Sequence, residues 1–161
     1  MTHAVKHVVF VSWDDVEQLV SSVARQLRDQ RRFDVLLGIG RGGLIPTALL
    51  AQRLGAVNIG TIAVQNNDPR GLPLPEPLIL QFPQRDVLSG QRVLVVDDVI
   101  RTGQTMDMVV RRLRSEGATV HVAVLHLKPT IIRRNGRPTT FGEVTDLDPI
   151  YPWSREAKIV I

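Results

Sequence analysis

Val93-Leu94-Val95-Val96-Asp97-Asp98-Val99-Ile100-Arg101-Thr102-Gly103-Gln104-Thr105 is the stretch on which the reading of this chain turns. The apolar tetrad 93–96, largely β-branched, reads as a strand buried on both faces. It delivers two adjacent carboxylates, Asp97 and Asp98, at its end. After Val99 and Ile100 comes a tight turn of hydroxyls, backbone N–H groups and one glycine, and then a helix opens. Paired carboxylates can hold sugar hydroxyls and a divalent ion, and the turn 101–105 at a helix N-terminus forms a nest for a phosphate dianion. An Asp pair alone could equally cap the next helix. The full string, with partners for a diol, a metal and a monophosphate within nine residues, is hard to account for that way. The Val-Asp-Asp tripeptide also ends the first strand of response-regulator receivers, but only 63 residues follow Asp98, too few for such a domain.

Helices and strands alternate on both sides of this stretch. Ser12 and Asp15 have the spacing of a capping box with Asp in place of Glu. Val16, Leu19, Val20, Val23 and Leu27 then form the apolar stripe of a helix running to about residue 31. A strand is expected over 33–39, a helix over 44–54 with Pro46 in its first turn and Gly55 at its end, and a strand over 57–64. Residues 65–77 hold four prolines and a glycine and read as turn and extended loop. Further strands are expected over 78–82 and 119–127. Between them lies a helix over 105–116, with Met106, Val109, Val110 and Leu113 on one face and Gly117 as its C-cap. The tail reads as irregular with one or two short extended pieces. This alternation predicts an α/β fold, a mainly parallel sheet flanked by helices on both faces. Ligands of such sheets sit beyond the carboxyl ends of the strands, where strand order reverses.

Composition narrows the class. The chain has 161 residues, 43% apolar and 22% charged, which suits one globular domain (1–161) rather than a disordered chain. Twenty basic residues against 16 acidic ones give a net charge of +4, and 17 of the basic residues are arginine, suited to planar, bidentate recognition of phosphates and carboxylates. The absence of cysteine excludes disulfides, thiolate metal sites and cysteine nucleophiles. No apolar run approaches the roughly 20 residues of a membrane span. MTHAVKHVVFVSWDD has neither the apolar stretch nor the cleavage site of a signal peptide. A cytoplasmic protein without a membrane partner is expected.

Two further strand ends carry chemistry. Gly38-Ile39-Gly40-Arg41-Gly42-Gly43 leaves a buried strand and opens a helix, so its glycines allow backbone N–H groups to approach an anion closely. It matches G-x-G-x-x-G formally, but a dinucleotide site wants an acidic residue about 20 positions on, and residues 35–67 contain neither Asp nor Glu. Lys128 closes the strand 119–127 and can donate to a ligand carbonyl, or can simply mark where the strand meets water. His121 and His126, five apart, point to opposite faces of one strand and make a poor ligand pair. None of the four histidines is assigned a role.

These strand ends together resemble the type I phosphoribosyltransferases, from about Trp13 to Trp153. The 93–105 string resembles the family's phosphoribosyl-diphosphate loop and 38–43 its pyrophosphate loop. Gly40-Arg41-Gly42-Gly43-Leu44-Ile45-Pro46 is similar to the short xanthine–guanine and archaeal-type purine enzymes. Lys128-Pro129 resembles the lysine that meets the exocyclic oxygen of a 6-oxopurine, and Tyr151-Pro152-Trp153 the proline-tryptophan close after their hood. The resemblance implies transfer of ribose 5-phosphate from phosphoribosyl diphosphate to hypoxanthine, guanine or xanthine, with release of pyrophosphate and with Mg2+ as cofactor. It implies Asp97, Asp98 and Arg41 as catalytic residues and Asp98 as the metal ligand. Gly40, Gly42, Gly43, Arg101, Thr102, Gly103, Gln104, Thr105, Lys128 and Ile150 complete the substrate-binding set, and removing Lys128 should change which base is accepted. It further implies a core over about 13–128, a mobile lid over about 66–77, a hood over about 129–161, and a homodimer or homotetramer, with Met106 or Phe82 at a contact. Nucleic acid is not expected as a partner, and the basic turn 133–137 reads as a solvated hairpin tip. Two positions depart from the purine pattern. Arg101 stands where an aspartate usually manages a proton on the imidazole ring, and an arginine cannot be a general base at neutral pH. Asp148 stands where an aromatic residue usually covers the base, which leaves Tyr151 as the nearest aromatic substitute. A transferase for another base, and a non-catalytic regulator that keeps the fold to sense nucleotides or phosphoribosyl diphosphate, are the alternatives.

Overall fold

The computed structural model describes residues 7–30, 32–56, 58–132 and 139–154. The elements in chain order are β1 (Val8–Phe10), α1 (Trp13–Leu27), β2 (Val35–Ile39), α2 (Leu44–Leu54), β3 (Ile59–Asn67), β4 (Pro73–Gln81), α3 (Arg85–Leu88), β5 (Arg92–Ile100), α4 (Gln104–Ser115), β6 (Thr119–Leu127), α5 (Pro129–Ile132), β7 (Thr139–Val144) and β8 (Asp148–Ile150). The basic turn 133–137 lies outside the described residues.

Six strands form the central sheet in the order β4-β3-β2-β5-β6-β7, and β1 pairs with β8 in a separate two-stranded ribbon. All neighbours in the central sheet are parallel except β3 and β4. From β2 the chain builds outward through β3 and β4; from β5 it builds the other way through β6 and β7. The order therefore reverses between β2 and β5. The strand 93–96 becomes a longer one, Arg92–Ile100, because β6 stays paired with it from Arg92 to Ile100 while β2 leaves it at Val96. The acidic doublet thus sits inside a strand, one step past the point where that strand loses a neighbour.

Alternation along β5 decides what each face buries. Val93 and Val95 face the cluster holding Met106, Val109, Val110 and Leu113 of α4. Leu94 and Val96 face the cluster formed with Val16, Val20, Val23 and Leu27 of α1 and Leu50 of α2. Helices cover both faces, as expected of a sheet with buried parallel strands. The capping box of α1 forms as read: Ser12 Oγ accepts the Asp15 N–H, and the Asp15 carboxylate accepts the Ser12 N–H. Met106 is 2% exposed within the α4 cluster, so it is a core residue and not an intersubunit contact.

Three expectations are revised. Residues 66–77 are largely a β-hairpin, with strand to Asn67 and again from Pro73, leaving a turn over 68–72. Asp68 closes that turn by accepting N–H groups from Arg70 and Leu72. The prolines are tolerated because β4 is an edge strand whose pairing slips between Gln65 and Asn67, so Pro75 and Pro77 owe no ladder donor. The tail is more ordered than read: β7 extends the central sheet beyond residue 128, and β8 returns to β1. α1 ends at Leu27, short of residue 31.

Candidate functional site

The carboxyl ends of β2 and β5 bring the glycine turn 40–43 against the acidic doublet. Gly40 has φ +54°, a conformation other residues seldom adopt. A Cβ on Gly42 would lie 2.4 Å from Asp98 Oδ2, and one on Gly43 would lie 2.4 Å from the Val96 carbonyl oxygen. These two glycines are therefore what allow the turn to seat on the doublet. Arg41 at the turn's tip is exposed and has no partner among the described residues.

Asp97 and Asp98 are each half engaged by protein. Asp97 Oδ1 accepts the Asp98 N–H at 2.9 Å, and Asp98 Oδ2 accepts the Trp153 indole N–H at 3.0 Å. The two carboxyl groups also interact with each other through their side chains. Burial, reinforced by the Asp98 charge, holds the Asp97 carboxyl well above the usual carboxylate range. Among the described residues there is no group of three or more His, Asp or Glu that could hold a metal. The doublet still fits Mg2+, a hard ion that takes one or two carboxylates and completes its shell with water and substrate oxygens.

Beyond the doublet, Gly103 serves as N-cap of α4 in a left-handed conformation (φ 84°), and neither α4 nor α2 has a side-chain cap. Both helices thus start with backbone N–H groups that no N-cap side chain satisfies. Thr102 and Gln104 are exposed around the turn. Thr105 Oγ1 donates to Asn66 Oδ1 at 3.0 Å, which ties the first turn of α4 to the β3–β4 hairpin.

The tail supplies the underside. Tyr151 is 1% exposed and stacks flat on Trp153, with ring centroids 4.7 Å apart. Its hydroxyl donates to the Asp98 carbonyl at 2.9 Å and contacts His126 Nδ1 at 2.7 Å. Because the phenol proton goes to the carbonyl, His126 must carry its proton on Nδ1 and donate to the Tyr151 oxygen. Burial holds His126 below its ordinary value, so it is the neutral form that makes this bond. Tyr151 therefore braces the doublet from within and is not the aromatic cover considered from the sequence. His126, which was assigned no role, is a member of this brace. The signal was available: a histidine in an otherwise apolar core strand has to find a buried partner.

Lys128 meets the tail. Its ammonium donates to the Asp146 and Leu147 carbonyls, both at 2.7 Å, and lies 3.1 Å from Asp148 Oδ1. Arg101 Nε lies 3.7 Å from the same Asp148 oxygen. Ile150 falls in the chain between Asp148 and Tyr151 and ends β8. The glycine turn, the doublet and the start of α4 thus lie at one end of the sheet, and Lys128 and Arg101 meet at Asp148, whereas Ile150 is placed only by its position in β8, beside β1 and outside the central sheet.

Known proteins share this fold. The phosphoribosyl transferase domain family matches residues 12–138. The xanthine-guanine phosphoribosyltransferase of Cereibacter sphaeroides is 27% identical over 160 residues, spanning 93% of this chain and 89% of that protein. The crystal structure of a purine phosphoribosyltransferase from Pyrococcus horikoshii Ot3 superposes with a TM-score of 0.76 at 28% identity, covering 92% of this chain and 95% of that one. A hypothetical protein from Neisseria gonorrhoeae, solved with bound ppGpp, gives a TM-score of 0.76 at 29% identity, covering 94% of this chain and 91% of that one.

Proposed function

This chain belongs to the phosphoribosyl transferase domain family, and on that premise we propose that its switch-point crevice transfers ribose 5-phosphate from phosphoribosyl diphosphate to a 6-oxopurine, releasing pyrophosphate. The observation that carries the residue assignment is the seating of the Gly42-Gly43 turn on Asp98, which puts an anion-binding backbone beside a carboxylate pair and a phosphate nest. The 27% identity to a xanthine-guanine enzyme supports the choice of base class.

In this reading the sugar lies across the doublet, with its hydroxyls on the carboxyl oxygens of Asp97 and Asp98. Its 5-phosphate sits in the nest of Thr102, Gly103, Gln104 and Thr105 at the start of α4. The departing diphosphate meets Arg41 and the backbone N–H groups of Gly40, Gly42 and Gly43, charge-assisted donors fixed before the reaction begins. The sugar becomes cationic as the bond to diphosphate breaks, and the ionised doublet faces that charge. Mg2+ held by Asp98 and substrate oxygens would neutralise the diphosphate. In this reading the β3–β4 hairpin, joined to Thr105 through Asn66, covers the sugar and excludes water. Lys128 and Arg101 stand on the base side with Ile150 and the rest of the hood.

The test is release of pyrophosphate from phosphoribosyl diphosphate, with and without Mg2+, across hypoxanthine, guanine, xanthine, adenine, uracil and orotate. Turnover with the 6-oxopurines supports the proposal; turnover with none of the six refutes it. A second reading, a regulator that senses guanine nucleotides, is favoured by Arg101 in place of a proton-accepting aspartate and by the Neisseria relative's bound ppGpp. Tight nucleotide binding without turnover would select it.

A further inference from the structure

A cavity of about 670 Å³ opens at the opposite end of β2 from the crevice, where α1 and α2 finish and the chain turns into that strand. Four arginines line it, Arg25, Arg28, Arg32 and Arg53, and no Asp or Glu is among its lining residues. We propose that this cavity is a second ligand site, and that its ligand is a nucleotide carrying two or more phosphates. α2 begins beside the glycine turn and ends at the cavity, and its 11 residues span about 16 Å. A ligand held here is therefore clear of the crevice, and the site stands whatever the crevice catalyses.

Basic side chains in the last turn of a helix also serve the carbonyls exposed there, and two of the four arginines do so. Arg32 donates to the Gly55 carbonyl at 3.0 Å; Arg53 donates to the Leu49 carbonyl and pairs with Glu17 of α1. Arg25 and Arg28 are left over. They stand three apart, on one side of the end of α1. Both are exposed, and neither side chain makes a hydrogen bond or ion pair among the described residues. Helix ends thus account for half of the cluster. The other half is a pair of guanidinium forks, whose geometry matches phosphate oxygens in bidentate fashion.

The rest of the lining argues against a bare inorganic anion. Ala24, Leu27, Phe33 and Leu54 contribute apolar surface. Leu27 and Phe33 are buried whereas Arg25, Arg28 and Arg32 are exposed, so the cations ring the mouth and the apolar groups form the depth. A ligand with a flat, largely apolar body at one end and several negative charges at the other answers both parts. Ser21 and Gln30 add neutral donors and acceptors for a base or a ribose. The volume falls in the range of about 300–1,000 Å³ common to small-ligand sites.

Calorimetric titration of the full chain with ATP, without divalent cations, tests the proposal. ATP should bind, and should bind more tightly than either adenosine or tripolyphosphate, each of which meets half of the cavity. Excess ribose 5-phosphate should not displace it. The double variant Arg25→Gln, Arg28→Gln exchanges exposed helix formers for helix formers, and should raise the ATP dissociation constant about tenfold to a hundredfold through loss of hydrogen bonds to charged donors. Arg111→Gln with Arg114→Gln, which removes the same charge from α4 on the other face of the sheet, should leave it unchanged. No binding of ATP to the wild type, or equal binding by the wild type and the Arg25, Arg28 variant, overturns the proposal. So does an equal loss in the Arg111, Arg114 variant, which would mean attraction by net charge alone. Displacement by ribose 5-phosphate would put ATP in the crevice, and tripolyphosphate binding as tightly as ATP would leave the apolar depth without a role; either result overturns the assignment.

Discussion

Asp97 is the costliest side chain of the site, since burial and the neighbouring Asp98 charge both oppose its ionisation. Its folded pKa lies above the unfolded one. The native state therefore retains a proton that the unfolded chain gives up, and stability falls as pH rises from about 4 through the raised value. Asp97→Asn removes this penalty and keeps an oxygen to accept the Asp98 N–H. The variant without ligand should be more stable than the parent at pH 7 in urea titrations, while its Mg2+-dependent binding of phosphoribosyl diphosphate weakens. A destabilised Asp97→Asn would show that the carboxylate is ionised and paired in the parent. His126 has the opposite linkage. Its pKa is depressed by burial, with Glu143, Asp98 and Asp15 pulling it upward and Lys128 downward. The unfolded chain takes up the proton first, so stability is lost as pH falls below about 6.5. His121 is lowered for the same reason and shares that loss. His126→Asn, whose amide nitrogen can stand in for Nδ1, should reduce but not abolish the decline between pH 7 and pH 5, measured from denaturation midpoints.

At the scale of elements, the glycine turn and β5 are fitted to each other, and the two glycines should fail differently. A Cβ on Gly43 meets only backbone, with Val96 O at 2.4 Å and Ile39 N at 2.6 Å. No side chain can move aside, so Gly43→Ala should cost about 1–3 kcal/mol or more of stability. The Cβ of Gly42→Ala meets the Asp98 carboxylate alone, within 2.4–2.9 Å. Relief comes from pushing that carboxylate off the Trp153 indole, so stability should change little while affinity for phosphoribosyl diphosphate falls at least about tenfold. Thermal denaturation set beside the KM for phosphoribosyl diphosphate separates the two outcomes. The hairpin of β3 and β4 teaches a related lesson. Its prolines read as a loop because proline is unsuited to a paired strand, and the exception arises at a sheet edge with slipped register, which local composition does not encode.

For the molecule as a whole, the tail is the keystone. The aromatic pair Tyr151 and Trp153 reaches back more than 50 residues to brace Asp98, and β8 pairs with β1 from the opposite end of the chain. Tyr151→Phe leaves the Asp98 carbonyl and the His126 N–H without a partner, and should cost about 1–3 kcal/mol by denaturant titration while preserving the stack on Trp153. The strand string 93–105, the glycine turn, the capping box and the span of α2 were legible in the chain because each is written in near neighbours: alternation, spacing, and glycines at turns. From these alone the fold class followed, while the strand order that puts the reversal between β2 and β5 did not. Three things belonged to the tertiary structure. The tail's extra strand was hidden because its pairing partner is remote. Tyr151 and His126 were misread or passed over because burial beneath the doublet is a property of packing. Lys128 and Arg101 carry the same charge and stand at adjoining strand ends, and only the fold decides that the ammonium meets the Asp146 and Leu147 carbonyls and Asp148 while the guanidinium stands 3.7 Å from Asp148. Local sequence fixes backbone conformation through short-range sterics, whereas the engagement of a side chain depends on which distant groups the fold carries to it.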